Sequence, residues 1–88
     1  MEWLRSQGAY VVKVHGGPFQ EAGVSDLLVC WRGRFIAIEI KTPTGKLTEI
    51  QQHHLEQVLA AGGIGVVARS VQHLKTSLLL YGVSFNES

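Results

Sequence analysis

Two apolar runs rich in β-branched and aromatic residues, 26–31 and 35–41, flank the short polar tip Arg32-Gly33-Arg34, a pattern that reads as a β-hairpin. Its constraint on the fold is that the strands are apolar on both faces. Leu27, Val29 and Trp31 leave one side of the first strand, Leu28 and Cys30 the other, because side chains alternate along a strand. A sheet that is apolar on both sides needs cover on both, normally from helices. The hairpin is therefore expected at the centre of an α/β domain, with Cys30 as a small buried hydrophobe.

The remaining elements follow from local signals. Residues 2–8 read as the last turns of a helix stopped by Gly8, since glycine accepts the left-handed C-cap. Residues 9–15 form a Val-rich strand, which Gly16-Gly17-Pro18 breaks into a loop running to about Ser25. After Pro43 and Gly45, Thr48 and Gln51 have the capping-box spacing that starts a helix to Ala61. Gly62-Gly63 ends that helix, residues 64–69 supply a strand, and Ser70 caps a last helix through Val71, Leu74, Leu78 and Leu79 to Gly82. The order is αβββαβα, a mixed central sheet of about four strands flanked by helices. Trp3, Tyr10, Trp31 and Phe35 are expected in the core or at an interface between copies.

With 88 residues, 45% of them apolar, the chain is expected to form one domain over 1–88. A domain of this size is marginal alone, so pairing with a second copy would stabilise it. One cysteine permits no internal disulfide and suits a reducing, cytoplasmic setting. No leader and no membrane-length apolar run is evident, so a soluble protein with no membrane partner is expected. Eight Lys and Arg against seven Asp and Glu leave a formal charge of +1, so charge alone selects no nucleic-acid partner. His15, His53, His54 and His73 lack zinc-site spacing.

Within the apolar hairpin, Asp26, Glu39 and Lys41 are the residues that packing does not explain. Glu39 and Lys41 share one face of their strand, while Ile38 and Ile40 take the other. A tip of two or four residues sets Asp26 directly opposite Glu39, with Cβ atoms roughly 4.5–5.5 Å apart. A tip of three residues pairs Asp26 with Ile40 and sends the two carboxylates to opposite faces. In the first register two facing carboxylates repel unless one is protonated or a cation joins them. Mg²⁺ or a similar hard cation, which prefers oxygen ligands and retains several waters, suits two carboxylates and a backbone carbonyl such as that of Ile40. Lys41 then offers an ammonium for charge developing on a phosphorane, the parts needed to hydrolyse a phosphodiester.

The ordered set Gly23-Val24-Ser25-Asp26, Glu39-Ile40-Lys41, Gly45-Lys46-Leu47-Thr48 and Gln51 resembles the PD-(D/E)XK nuclease superfamily and, more narrowly, its virus-type replication-repair nuclease (VRR-NUC) domains. The likeness runs from about Trp3 to Ser70 and includes Gly62-Gly63. It implies a restriction-endonuclease-like core, Mg²⁺ or Mn²⁺ held by Asp26 and Glu39, Lys41 as the catalytic lysine, and Gln51 as the helix glutamine of the site. Stand-alone phage and bacterial members form homodimers that cleave four-way (Holliday) junctions in DNA. The resemblance therefore implies a structure-selective DNA endonuclease acting in recombination or repair, in the cytoplasm of a phage-infected or bacterial cell near the nucleoid.

Two positions differ from the family pattern. Ser25 stands where a proline commonly precedes the aspartate, and the pattern's first-helix glutamate has no match, Glu2 being too close to Gly8. Either the helix is shortened and the site runs without that carboxylate, or the sequence begins late, or Glu2 or Glu21 substitutes. Lys13, His15 and Lys46 are further candidates for DNA contact. Two other functions remain open at this point: a branched-DNA binding module with a degenerate nuclease site, and an interaction domain in which the acid pair is incidental.

Overall fold

A computed structural model describes residues 1–14 and 23–85. The elements are α1 (Glu2–Ser6), β1 (Tyr10–Lys13), β2 (Leu27–Trp31), β3 (Arg34–Ile40), α2 (Glu49–Ala60), β4 (Ile64–Ala68) and α3 (Val71–Leu80). Among these residues the order is the αβββαβα expected from the sequence. His15, the Gly16-Gly17-Pro18 loop and Glu21 lie outside the described residues.

The hairpin tip is two residues long, Arg32-Gly33, and Arg34 already belongs to β3. Both tip residues have positive φ, 53° at Arg32 and 78° at Gly33. Such turns are favoured in two-residue hairpins because their twist matches that of the strands they join. The register follows: Leu27 pairs with Ile38, Val29 with Ile36 and Trp31 with Arg34. The four strands lie in the order β1-β2-β3-β4. The first three are antiparallel and β4 is parallel to β3, so the chain crosses over through α2 to return in the same direction.

One face of the sheet carries the core. Leu27, Val29 and Trp31 of β2, Ile36 and Ile38 of β3, and Ile64 and Val66 of β4 pack there with Leu4 of α1 and Leu74 and Leu78 of α3. Trp3 and Phe85 close its rim, Trp3 meeting Trp31 and Phe85 edge-on.

The other face is covered only in part. Helix α2 packs on β4 and β3, burying Leu55 and half-burying Val58, whereas Leu59 is exposed. Among the described residues no helix packs on the β1–β2 side of this face. Cys30 is therefore exposed rather than buried, and Tyr10 (70% exposed) and Phe35 (46%) stand beside it instead of in the core. In α3, Leu74 and Leu78 face the sheet while Val71 and Leu79 point away. No helix among the described residues is long and apolar enough to cross a membrane.

Two glycines test how the site-bearing strands are held. A Cβ on Gly33 would meet nothing within 4 Å, so Gly33→Ala is expected to cost only the positive-φ strain, about 1–2 kcal/mol. At Gly23 (φ +84°) a Cβ would also come within 2.8 Å of the Ile50 carbonyl oxygen at the start of α2. Gly23→Ala should therefore destabilise more than Gly33→Ala in urea unfolding, and equal midpoints would contradict the close approach.

Candidate active site

Asp26 precedes β2 by one residue, and the pairing of Leu27 with Ile38 sets it against Glu39. Two hydrogen bonds hold it. Its carbonyl accepts from the Val14 N–H at 2.8 Å, and its Oδ2 accepts from the Ile40 N–H at 2.8 Å. Glu39 lies on the same face, just inside the end of β3, and is only 2% exposed. The bare register arithmetic of the hairpin thus brings the two acids together.

Gln51 reaches this pair from α2. Thr48 caps the helix in a full capping box: its Oγ1 accepts from the Gln51 N–H, and the Gln51 Oε1 accepts from the Thr48 N–H at 3.0 Å. The other end of the same amide donates from Nε2 to Glu39 Oε1 at 3.1 Å. A glutamate would complete the box equally well, but only glutamine also carries a donor for Glu39.

The second oxygen of Glu39, Oε2, is buried with no hydrogen-bond partner among the described residues. An orphaned, desolvated carboxylate oxygen is costly, and the carboxyl responds by holding its proton. Glu39 is raised from 4.5 to about 7, first by burial and then by the neighbouring Asp26 carboxylate, while Lys41 pulls the other way. A cation between the acids would satisfy the orphaned oxygen and remove the repulsion in one step. Among the described residues no third His, Cys, Asp or Glu joins the pair. That donor set suits a hard ion that takes backbone carbonyl and water as its other ligands.

Lys41 lies one residue past β3, its N–H donating to the Ala68 carbonyl at 3.0 Å. The ladder thus continues and keeps Lys41 on the Glu39 face. Lys46 is exposed on the loop between β3 and α2. Lys13 does not join them: it pairs with Leu27, so its side chain leaves the opposite face. The sequence shows two positive residues near one strand end but not which side of β2 they meet. His15, proposed beside it, lies outside the described residues. Arg34 is occupied at the far end of the hairpin, where Nη1 donates to the Tyr81 carbonyl at 3.2 Å.

Sequence reasoning missed Arg69. Its Nη1 donates to the carbonyls of Thr42 and Gly45, tying down the loop that follows Lys41. It reads in sequence only as the last residue of a strand, because its nearness to Lys41 depends on how β3 and β4 align. An apolar recess lined by Phe35, His54, Gln57, Val58, Ala61 and Gly63 opens beside α2 and includes none of the acid pair, Lys41 or Gln51.

No protein-family model and no curated protein matches this sequence. Among solved structures, one described as a "VRR_NUC domain" superposes with a TM-score of 0.74 at 24% identity, over 93% of this chain and 87% of that one. The likeness is one of fold: the mixed four-stranded sheet with flanking helices is that of a restriction-endonuclease-like VRR-NUC domain.

The raised Glu39 makes folding stability depend on pH in a definite direction. Below pH 4.5 the carboxyl is protonated in both states; from there to about 7 only the unfolded chain releases the proton. In metal-free buffer, stability is expected to fall across that window by up to about 3 kcal/mol and to level off above it. Glu39→Gln should abolish this fall, giving a protein more stable than wild type above pH 7. Urea midpoints measured across the window check it, and a flat wild-type profile would refute the buried-pair reading.

Gln51 provides a second check in the same series. Gln51→Glu keeps the acceptor for Thr48 but faces Glu39 with a charge in place of a donor. The window of falling stability should extend to higher pH. Gln51→Ala should cost about 1–2 kcal/mol through loss of both contacts.

Proposed function

We propose that this chain, whose fold is that of a VRR-NUC domain, is a divalent-metal-dependent endonuclease that hydrolyses phosphodiester bonds in DNA. The observation that carries this reading is the Asp26–Glu39 pair, two acids forced together across one ladder with a buried oxygen that has no partner among the described residues. Asp26, Glu39 and the Ile40 carbonyl would hold Mg²⁺ or Mn²⁺. When bound, such an ion supplies Lewis acidity and an acidified water.

The chain's own groups divide the remaining work. Lys41, on the same face and one residue beyond β3, places an ammonium where negative charge develops on the phosphoryl oxygens. Gln51 holds Glu39 in orientation through Oε1, leaving Oε2 without a partner among the described residues. It acts as a positioning residue whose aim is fixed by the helix cap it completes. Among the described residues α2 covers this face only over β3 and β4.

The proposed substrate is branched DNA, four-way junctions in particular, and the proposed assembly is a homodimer. Both extend the resemblance of the Asp26, Glu39–Lys41 and Gln51 motifs to stand-alone VRR-NUC nucleases. Two sites related by a two-fold axis suit paired cuts across a junction, and a second copy would stabilise so small a domain. A branched-DNA binding module with a degenerate site is the second reading, favoured by the presence of only two acids at the site among the described residues.

Fluorescently labelled four-way junction and linear duplex, incubated with Mg²⁺ or Mn²⁺, provide the test. Junction cleavage is expected to exceed duplex cleavage and to vanish in EDTA. Lys41→Ala should slow it by about a hundredfold or more, with DNA binding retained. Equal cleavage by Lys41→Ala would remove this mechanism, and a gel shift of the junction without any cutting would select the binding module.

A further inference from the structure

Arg69 stands next to Lys41 for a reason of register. Ile40 pairs with Ala68 in the parallel ladder, and the Lys41 N–H continues that ladder by bonding the Ala68 carbonyl. Paired residues of adjacent strands send their side chains to the same face. Ala68 belongs to the core on the far side, so Arg69 emerges on the face that carries Glu39 and Lys41.

Only part of its guanidinium is engaged. Nη1 bridges the Thr42 carbonyl, at 2.8 Å, and the Gly45 carbonyl. Nε and Nη2 have no partner among the described residues, and no carboxylate there forms an ion pair with Arg69. The backbone is fixed as well: the Arg69 N–H donates to His73 Nδ1 at 3.1 Å, and the His73 N–H donates to Ser70 Oγ in the cap of α3. An arginine anchored through one nitrogen to neutral acceptors keeps its whole charge and has already given up much of its side-chain freedom. Its remaining donors are ready for the oxygens of a phosphate. The loop that it braces presents exposed Lys46 directly after Gly45.

We propose that Arg69 and Lys46 form a second phosphate subsite, which grips a backbone phosphate of the DNA strand adjacent to the one cut at Asp26 and Glu39. Lys41 stands between Arg69 and the acid pair, so the two phosphates are neighbours and not the same group. The subsite rests on the nuclease reading, because it requires DNA to lie along this face. It fixes the strand's register on the sheet, whereas Lys41 serves the reaction itself.

Salt dependence of binding separates this role from a mere brace. Affinity of the full-length protein for a four-way junction is measured by fluorescence anisotropy over a range of salt, with Ca²⁺ replacing Mg²⁺ under conditions checked to give no cutting. Each phosphate contact contributes about 0.9 to the slope of log affinity against log salt. Arg69→Gln is expected to lower the slope by about one such step, as is Lys46→Gln. Arg69→Lys, which keeps the charge but loses the guanidinium bridge to the Thr42 and Gly45 carbonyls, should leave the slope unchanged.

An unchanged slope in Arg69→Gln, or an equal drop in Arg69→Lys, overturns the subsite and leaves Arg69 as a structural clamp. If Arg69→Gln fails to fold by circular dichroism, Lys46→Gln decides, and an unchanged slope there overturns the proposal. Wild-type protein that cuts the junction while these slopes stay unchanged loses only the subsite. Wild-type protein that binds no DNA at low salt loses the nuclease reading and the subsite with it.

Discussion

The opposition of Asp26 and Glu39 across an antiparallel ladder is the constraint on which the rest of the site depends. It costs stability in the free protein, since burial and a neighbouring negative charge both hold the Glu39 carboxyl near 7. Nothing in packing requires it. Leu27 and Ile38, one step along the same ladder, show what this hairpin does when it is only filling a core. A local arrangement that works against folding is expected where a ligand is to be bound, because the binding free energy offsets the penalty.

Two inexpensive local devices keep that arrangement in place. The Arg32-Gly33 turn sets the register: one more residue in it would move one acid to the far side of the sheet. The Thr48–Gln51 capping box seats the start of α2 and, through the same amide, fixes one oxygen of Glu39. Helix cap and site geometry are therefore coupled, so a substitution that frays the first turn of α2 also loosens Glu39. The close approach of Gly23 to Ile50 brings the Asp26 arm against the same turn.

The two faces of the sheet divide the labour. One is closed by α1 and α3 over a continuous apolar core and supplies the cohesion. The other is only half covered, and the acids, Lys41, Gln51 and Arg69 all belong to it. The same incomplete cover exposes Tyr10, Cys30 and Phe35, which a symmetrical three-layer sandwich would bury. Such a domain has little stability in reserve, so a face left half covered by the described elements is a real cost to it.

The sequence by itself determined everything that depends on neighbours along the chain. The capping boundaries at Thr48 and Ser70, the hairpin and the shared face of Glu39 and Lys41 are set within a few residues, where alternation and φ preferences leave few options, whereas the length of the hairpin tip was left open until the strands were seen to pair. Tertiary structure alone decided which helix covers which strand and how separate strands align. It exposed Cys30, turned Lys13 to the other face, and brought Arg69 beside Lys41, far earlier in the chain. Those outcomes depend on the register of β1 on β2 and of β4 on β3 and on the reach of α2. Long-range packing selects them, and no local preference in the chain encodes them.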